Sequence, residues 1–582
     1  MPYSQMITDG QDEQTVVDLF RDADQIQVPI FQREYVWGLK EFKQLLEDIE
    51  LIRSGQERSQ FLGAIVSYEN KREQQVIGRL KTLSIVDGQQ RILTLYIFMI
   101  AIVEAFALIE KKDEAFDIVN EFLLIPPRRG LEVNTRVFPS YADVNQFRII
   151  CDKINTPEVL QNNFQTEPIN PPPPSGNSSG NLLSQYNRIY KFLQREMVKD
   201  DSQKNEFLEE MFDIIVRKLS FVHLLLNDAS SANKIFERLN FRGRRVGTID
   251  LVRNEIFTGF IDNPTEAKRI FNSVWNPFVL AFNGHSDQFF FPYCLIHNSN
   301  TTQSDIFTHL RTIWNSWNPE KIVSHMTRYQ SSFMSIHTTG TFLENEKISL
   351  RLDRFVRMRR PSSVYPFVMS MLDATREEKI TTEQCANLLD ALESFLVRRA
   401  IIGFEPTGLH ALFKGLWSQI KDNTIDEFKQ IIAKKPTIQW PSDQDIIEAI
   451  KTRSLAKTKI CNYLLVEYDR DLPGDNPSSP PTIEHILPQS YDIYSDWAEI
   501  FTKNEHRRMK DTWANLIPLS VAINSSLQAS SYSLKKEKYI AESMFITPRR
   551  VANTYPNWNT ETINQRAENL CNWAINRWPH HL

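Results

Sequence analysis

The chain has few cysteines, and none are spaced as metal ligands. Its five cysteines lie far apart among 582 residues and form no Cys-x-x-Cys pair. A thiolate zinc site is therefore not expected. Scattered single cysteines are typical of a reducing compartment, so we expect a cytoplasmic protein.

The sequence also lacks a signal peptide and a clear membrane span. Residues 1–10 are polar and have no basic stretch followed by an apolar core. The longest apolar run, residues 92–109, contains Thr94 and Glu104. These polar side chains favour a buried helix over a membrane-spanning one, so we expect no membrane partner.

A basic field over the whole chain is missing as well. The formal net charge is −5, so contacts with nucleic acid would have to come from local patches. One such patch, Arg242, Arg244 and Arg245, is either a solvated turn or a phosphate contact. The arginines of residues 351–360 form a second patch. For these the favoured interpretation is a helix face paired with acidic neighbours.

The length of 582 residues exceeds what one hydrophobic core normally supports. Strand-like and helical patterns alternate over residues 1–257, and a proline-rich, flexible insertion interrupts them at about 166–180. Residues 258–450 show helical spacing without a strand-like run or a Gly-rich loop. Residues 451–582 carry a further motif. The sequence thus predicts an α+β protein of three domains with these limits.

That motif is Thr-Ile-Glu-His-Ile-Leu-Pro-Gln-Ser at residues 482–490. It places Glu484 beside His485 in a short strand-like run. Asn515 follows in a second such run, and Asn524 lies nine residues further, where a helix is predicted to begin. A histidine near a strand end, an asparagine on the returning strand and a polar residue entering a helix are typical of HNH (ββα-metal) nucleases.

The residue types suit phosphodiester hydrolysis, which needs a base for water and a cation for the phosphate charge. His485 is the candidate base, since its pKa lies near neutral pH. Asn515 is predicted to fix the imidazole's orientation. Glu484 and Asn524 offer hard oxygen ligands for Mg²⁺ or Mn²⁺. The competing interpretation is a chance Glu-His dipeptide on the surface.

A second candidate site follows the predicted strand at residues 83–86, where Asp-Gly-Gln-Gln-Arg (87–91) leads into the apolar helix. Gly88 permits a tight turn, and a helix start offers free N–H groups to an anion. Arg91 adds a fork-shaped donor for phosphate. The alternative is that Asp87 only caps the helix and Arg91 is solvated.

Several stretches resemble one known family. Residues 31–37, 61–66, 85–95 and 235–243 resemble the N-terminal domain of GmrSD-type and SspE-type proteins. The Glu484-His485 motif with Asn515, Asn524 and Lys535 is similar to the HNH domain fused to it in the same proteins. Two departures are Ala514, where the family commonly has glycine, and the proline-rich insertion.

The resemblance implies a ParB/sulfiredoxin-like N-terminal core, a mostly helical middle and a C-terminal HNH nuclease in a modification-dependent defence protein. The N-terminal domain would bind and hydrolyse a nucleoside triphosphate (GTP, ATP or UTP) or sense a DNA modification. The pocket predicted for this comprises Gln32, Arg33, Tyr35, Trp37, Asp87, Gly88, Gln89, Gln90 and Arg91. Candidate contacts to the DNA backbone are Arg242, Arg244, Arg245 and Lys535.

The expected partners are modified or phage DNA and a nucleoside triphosphate, and self-association or defence-system partner proteins are further candidates. Our hypothesis is that nucleotide turnover or the binding of modified DNA near Asp87 repositions the nuclease domain. His485 then deprotonates a water that attacks a metal-bound phosphate. Two other functions remain open. One is a sensor with a silent nuclease site that acts through a partner; the other is an RNA-cleaving toxin.

Overall fold

A computed structural model describes most of the chain, namely residues 7–9, 13–30, 32–69, 80–125, 135–154, 181–226, 247–260, 263–343, 345–420, 425–435, 437–475, 477 and 480–580. The chain divides into two compact units, one of residues 1–287 and 317–323 and one of 288–316 and 324–582. The proline-rich insertion and the arginine loop of Arg242, Arg244 and Arg245 lie outside the described residues.

A mixed sheet organises the first unit. Its strands are β1 (Ile7–Asp9), β2 (Glu13–Thr15), β3 (Gln25–Gln27), β4 (Gln60–Glu69), β5 (Thr82–Asp87), β6 (Val137–Phe138) and β7 (Leu219–Leu226). The order is β1-β7-β4-β5-β3-β6, and β2 also pairs with β7. The pairs β4–β7, β3–β5 and β3–β6 are parallel, whereas β1–β7, β2–β7 and β4–β5 are antiparallel.

The helices of the first unit are α1 (Val16–Asp22), α2 (Leu39–Arg53), α3 (Gln89–Leu108), α4 (Lys112–Ile118), α5 (Val144–Cys151), α6 (Leu182–Lys199), α7 (Lys204–Asp213), α8 (Thr248–Thr258), α9 (Pro264–Ile270) and α10 (Asn276–Leu280). Single π-turns follow α4, α7 and α9, at Val119–Leu123, Ile214–Lys218 and Phe271–Trp275. The core lies between the sheet and α3.

Helix α3 is the apolar run noted in the sequence. It is long and apolar enough to span a membrane, but 78% of its most apolar window is buried inside the protein. Strand β5 enters it through Gly88, whose φ is +95°. A Cβ at Gly88 would lie 2.9 Å from Ile65 Cγ1, so both the backbone and the space favour glycine.

The second unit is mainly helical. Its helices are α11 (Phe290–His297), α12 (Ile306–Ile313), α13 (Pro319–Met334, of which the residues up to Val323 belong to the first unit), α14 (Glu346–Arg357), α15 (Tyr365–Arg376), α16 (Thr382–Ile402), α17 (Leu409–Phe413), α18 (Ile425–Ala433), α19 (Asp443–Thr452), α20 (Cys461–Arg470), α21 (Asp496–Ile500), α22 (Lys503–Met509), α23 (Val521–Leu527), α24 (Tyr532–Glu542), α25 (Ile546–Thr554) and α26 (Thr560–Arg577).

Two strands, β8 (Thr482–His485) and β9 (Leu516–Leu519), form an antiparallel pair in this unit, and α23 follows β9 directly. In the pair, His485 lies opposite Leu516 and Glu484 lies opposite Ile517. The predicted order of strand, returning strand and helix is therefore present, and the α+β class is confirmed.

The arginines of α14 are paired, as the favoured interpretation held. Arg351 and Arg354 bind Asp390, and Arg357 binds Asp353 and Glu467. Arg360 donates instead to the His337 carbonyl and the Tyr365 hydroxyl. These guanidinium groups stabilise the helix packing and do not form a free stripe for DNA. The predicted middle domain, residues 258–450, divides between the two units.

Candidate functional site

The β8–β9 pair directs Glu484 and His485 to different surroundings, because successive side chains of a strand point to opposite faces. Glu484 is 3% exposed, and its carboxylate accepts from Lys535 Nζ and from the Tyr539 hydroxyl, each at 2.8 Å. Lys535 also donates to the His485 carbonyl at 2.6 Å. Burial lowers the pKa of Lys535 and raises that of Tyr539.

This arrangement corrects two predictions. Glu484 does not stand as a metal ligand, because the Lys535 ammonium already occupies the cation position at its carboxylate. Lys535 is not a DNA contact, because its side chain is fully buried in this ion pair. Both residues instead join α24 to β8. A buried, hydrogen-bonded ion pair of this kind is costly to break from one side only.

His485 faces a different carboxylate. Its Nε2 lies 3.0 Å from Asp511 Oδ1, and the amide nitrogen of Gln489 lies 3.2 Å from the same Nε2. The His485 side chain is 13% exposed and that of Asp511 22%. Burial lowers the pKa of His485, and the neighbouring Asp511 carboxylate opposes that shift. The imidazole is therefore neutral at pH 7 and within reach of solvent.

Asn515 lies at the turn into β9 and is fully buried. Its Nδ2 donates to the carbonyls of Leu487 and Lys510, and its Oδ1 accepts from Leu487 N and Trp558 Nε1. All four hydrogen-bonding positions of the amide are used. The prediction that Asn515 contacts the imidazole is therefore wrong. Asn515 instead fixes the segment that follows His485, because it bonds both the N–H and the carbonyl of Leu487.

Asn524 lies in α23, beside β8. Its Nδ2 donates to the Thr482 hydroxyl at 2.9 Å and to the Ile483 carbonyl at 3.0 Å. These two bonds orient the amide and leave Oδ1 without a hydrogen bond among the described residues. A directed carbonyl oxygen of this kind suits a hard cation that keeps most of its water ligands. Three or more His, Cys, Asp or Glu side chains do not cluster as a metal site anywhere in the described chain.

In the first unit, the glutamines of the predicted pocket hold the segment 32–37 in place. Gln32 donates to the Val86 carbonyl, and Gln89 donates to the Arg33 carbonyl. Gln90 Oε1 accepts from the backbone N–H groups of Val36 and Trp37, while its Nε2 donates to the Glu34 carbonyl. The structure thus brings the two predicted stretches together. Gln90 uses both ends of its amide internally, whereas Gln89 Oε1 is buried without a hydrogen bond among the described residues.

Tyr35 is also used inside the protein. It is fully buried, its hydroxyl lies 2.6 Å from Thr94 Oγ1, and burial raises its pKa. Its N–H donates to Asp143 Oδ2 at 2.8 Å. Tyr35 therefore cannot contact a ligand as predicted, and its role is to anchor the loop to α3 and to Asp143.

Arg91 and Trp37 do face open space. Together with Lys40, Phe61 and apolar neighbours such as Leu45 and Leu95, they line a cavity of about 390 Å³, which Glu41 and Asp48 also border. Arg91 Nη1 donates to the Ala64 carbonyl at 2.8 Å, which directs the guanidinium past Gly63 into the cavity. Arg33 and Asp87 are half-buried, and neither is among the residues that line this cavity.

Comparison with known proteins decides the family. Residues 16–257 match the family described as GmrSD restriction endonuclease, N-terminal domain, and residues 440–573 match GmrSD restriction endonucleases, C-terminal domain. The chain belongs to the GmrSD restriction endonucleases. No curated protein matches it.

Membership in the GmrSD family makes the chain a DNA endonuclease of phage defence. The N-terminal match contains the Asp87–Arg91 motif, and the C-terminal match contains His485, Asp511 and Asn524. The resemblance read from the motifs is thereby confirmed for both ends of the chain.

Two neighbours of His485 are not predicted by the sequence. Asp511 reaches His485 across 26 positions, and it lies in a turn with no pattern of its own. Gln489 belongs to the Pro-Gln-Ser stretch that ends the motif. Only its position four residues after His485 indicated proximity. In the first unit, Asp143 lies between β6 and α5, and no sequence pattern indicates its contact with Tyr35.

Proposed function

We propose that this GmrSD protein hydrolyses DNA phosphodiester bonds with His485 as the general base and Mg²⁺ or Mn²⁺ as cofactor. The observation that carries the proposal is the pair of His485 and Asp511. A carboxylate can only accept, so the hydrogen of that bond belongs to His485 Nε2. Nδ1 is then the unprotonated nitrogen, free to take a proton from water.

The residues around β8 fit a hard divalent cation through Asn524 Oδ1. Mg²⁺ commonly keeps several waters and needs only one or two protein ligands, so a three-carboxylate cluster is not required. When bound, the cation would neutralise charge on the scissile phosphate. Glu484 is not part of this proposed ligand set, because Lys535 already neutralises it.

The nuclease proposal is tested by nicking of plasmid DNA with purified protein and Mg²⁺ or Mn²⁺. We expect His485→Ala to lower the rate at least about a hundredfold, the usual contribution of a positioned general base. The matched control is His410→Ala, an exposed histidine of the same unit that stacks on Phe291. Nicking at the original rate by His485→Ala would overturn the assignment.

We also propose that the first unit binds and hydrolyses a nucleoside triphosphate, and that this event reports on modified DNA. Arg91 and Lys40 supply positive charge to the cavity, and Trp37 and Phe61 supply aromatic surface for a base. Phe61 is 56% exposed, so its ring is open to contact with a base.

Hydrolysis of GTP, ATP and UTP by the purified chain tests this second part. We expect Asp87→Ala and Arg91→Ala to reduce turnover, with Arg21→Ala as an exposed control on α1. Unchanged hydrolysis in Asp87→Ala and Arg91→Ala would remove the nucleotide site from this cavity. Comparing the cleavage of modified and unmodified DNA, with and without nucleotide, then shows whether the modification, the nucleotide or both control cleavage.

A further inference from the structure

A second cavity, of about 450 Å³, lies within the nuclease-containing unit, and neither His485 nor Asn524 borders it. Residues of α20, α25 and α26 form its walls. Nothing in the proposed hydrolysis uses this space. Its volume lies in the range of small-molecule and cofactor pockets.

One side of the cavity is aromatic. Tyr468 and Trp573 meet edge to face, with ring centroids 5.1 Å apart, and both rings are half-buried. Trp573 Nε1 donates to Asp471 Oδ2 at 2.7 Å, which fixes the indole plane. A fixed, partly open aromatic surface of this kind accepts a planar ring by stacking.

The other side carries a buried positive charge. Arg566 is 3% exposed, and its hydrogen bonds go to the backbone carbonyls of Trp513, Ala514 and Leu516 rather than to a carboxylate. Burial lowers the pKa of Arg566. A buried cation without an anionic partner is costly, and an anion entering the cavity would relieve that cost.

Two further groups of the cavity lack a protein partner within the described residues. The Thr547 hydroxyl is buried and makes no hydrogen bond, although the residue lines the cavity. Arg550, one helical turn further on α25, is exposed at the rim and forms no ion pair in the described chain. Both are donors available to an anionic ligand.

We propose that this cavity binds a nucleoside monophosphate unit, with its phosphate toward Arg566 and Arg550 and its base against Trp573 and Tyr468. An aromatic wall facing an uncompensated cation matches a planar base linked to a phosphate. The unit is either a free nucleotide or one nucleotide of a DNA strand, since both present the same chemistry.

Arg566 connects the cavity to the segment that carries the residues proposed for DNA hydrolysis. The carbonyls that it holds flank Asn515, whose side chain holds Leu487 and Lys510 next to His485 and Asp511. A ligand that binds Arg566 therefore acts on the segment that positions the proposed base, His485. This consequence rests on the proposed nuclease function, whereas the binding itself does not.

Isothermal titration of the full chain with the four deoxynucleoside monophosphates, with inorganic phosphate, and with a short single-stranded oligonucleotide tests the proposal. We expect Arg550→Ala and Thr547→Val each to weaken binding, Arg550→Ala by about tenfold, the loss of one charge-assisted bond. Arg549→Ala, the exposed neighbour on α25, should bind as the original chain does.

The outcomes distinguish a free nucleotide from a nucleotide of a DNA strand, and they test this binding site separately from the proposed nuclease function. Arg550-dependent binding of monophosphates identifies a free nucleotide, and such binding of the oligonucleotide alone identifies a DNA unit. Inorganic phosphate binding as tightly as the nucleotides would overturn the role of the aromatic wall. Absence of any Arg550-dependent binding would overturn the site, even where His485→Ala abolishes nicking.

Discussion

At the scale of single residues, the state of His485 depends on two opposed influences. Burial lowers its pKa below the ordinary 6.5, and the Asp511 carboxylate raises it. The imidazole is thus neutral and basic at pH 7, and cleavage should fall as pH drops through the folded pKa, below 6.5. Asp511 also holds the Nε2 hydrogen and leaves Nδ1 to accept the proton of water.

We predict that Asp511→Asn lowers the rate of DNA nicking by about tenfold or more, because an amide can no longer enforce the tautomer. Removing the carboxylate also removes the contribution that raises the His485 pKa, so the acid limb of the pH–rate profile should move to lower pH. Nicking rates measured from pH 5 to 8 check both effects. A limb that moves to higher pH would contradict the assignment.

A second residue-scale prediction concerns Asp143. Burial raises the pKa of its carboxyl group to about 7, although hydrogen bonds from Ser140 and Tyr35 favour the charged form. The folded state therefore keeps a proton that the unfolded chain releases near pH 4. The contribution of Asp143 to stability is present at low pH and declines as pH rises from about 4 to about 7.

Asp143→Asn should remove this dependence. The free energy of unfolding of the variant, relative to the original chain, should improve by up to about 1.4 kcal/mol per pH unit across that window and level off above it. Urea unfolding at pH 5 and pH 8 measures the slope. Any constant cost of placing an amide there cancels in the comparison. Parallel curves for the two proteins would show that the carboxyl group is ionised throughout.

At the scale of secondary-structure elements, β8 is joined to α24 by the Glu484–Lys535 pair. Lys535→Met would leave the Glu484 carboxylate buried with only Tyr539, and we expect a loss of about 3–5 kcal/mol in unfolding free energy. Glu484→Gln combined with Lys535→Met should recover much of that loss. Urea unfolding checks both, with Lys536→Met on the same helix as control. Equal stability of the single and double variants would contradict the coupling.

The elements also show why prediction succeeded for the fold and only partly for the sites. Spacing and alternation gave β5, Gly88 and α3, and the two strands with their following helix near the C-terminus, since these patterns are local. Motif positions gave Glu484 and Gln90 but not their partners. Whether an amide or carboxylate is free or already bonded depends on residues as distant as Lys535 or Trp37, and sequence spacing carries no information on that pairing.

At the scale of the whole molecule, one compact unit carries the proposed nucleotide cavity and the other carries His485. We predict that a hydrolysable nucleoside triphosphate changes the rate of DNA nicking by the original chain. Arg91→Ala should lose that response, because its guanidinium lines the cavity. It should keep the basal nicking measured without nucleotide, because every group proposed for DNA hydrolysis lies in the second unit.

His485→Ala supplies the reciprocal case: it should keep nucleotide hydrolysis and lose nicking both with and without nucleotide. Plasmid nicking with and without nucleotide, and release of inorganic phosphate, measured on the same preparations of the original chain and both variants, check these expectations. If Arg91→Ala abolished basal nicking while remaining folded, the two activities would not be divided between the units. If nucleotide changed the nicking rate of Arg91→Ala as it does that of the original chain, the regulatory nucleotide would bind elsewhere, and the cavity beside Arg566 would be the next place to test.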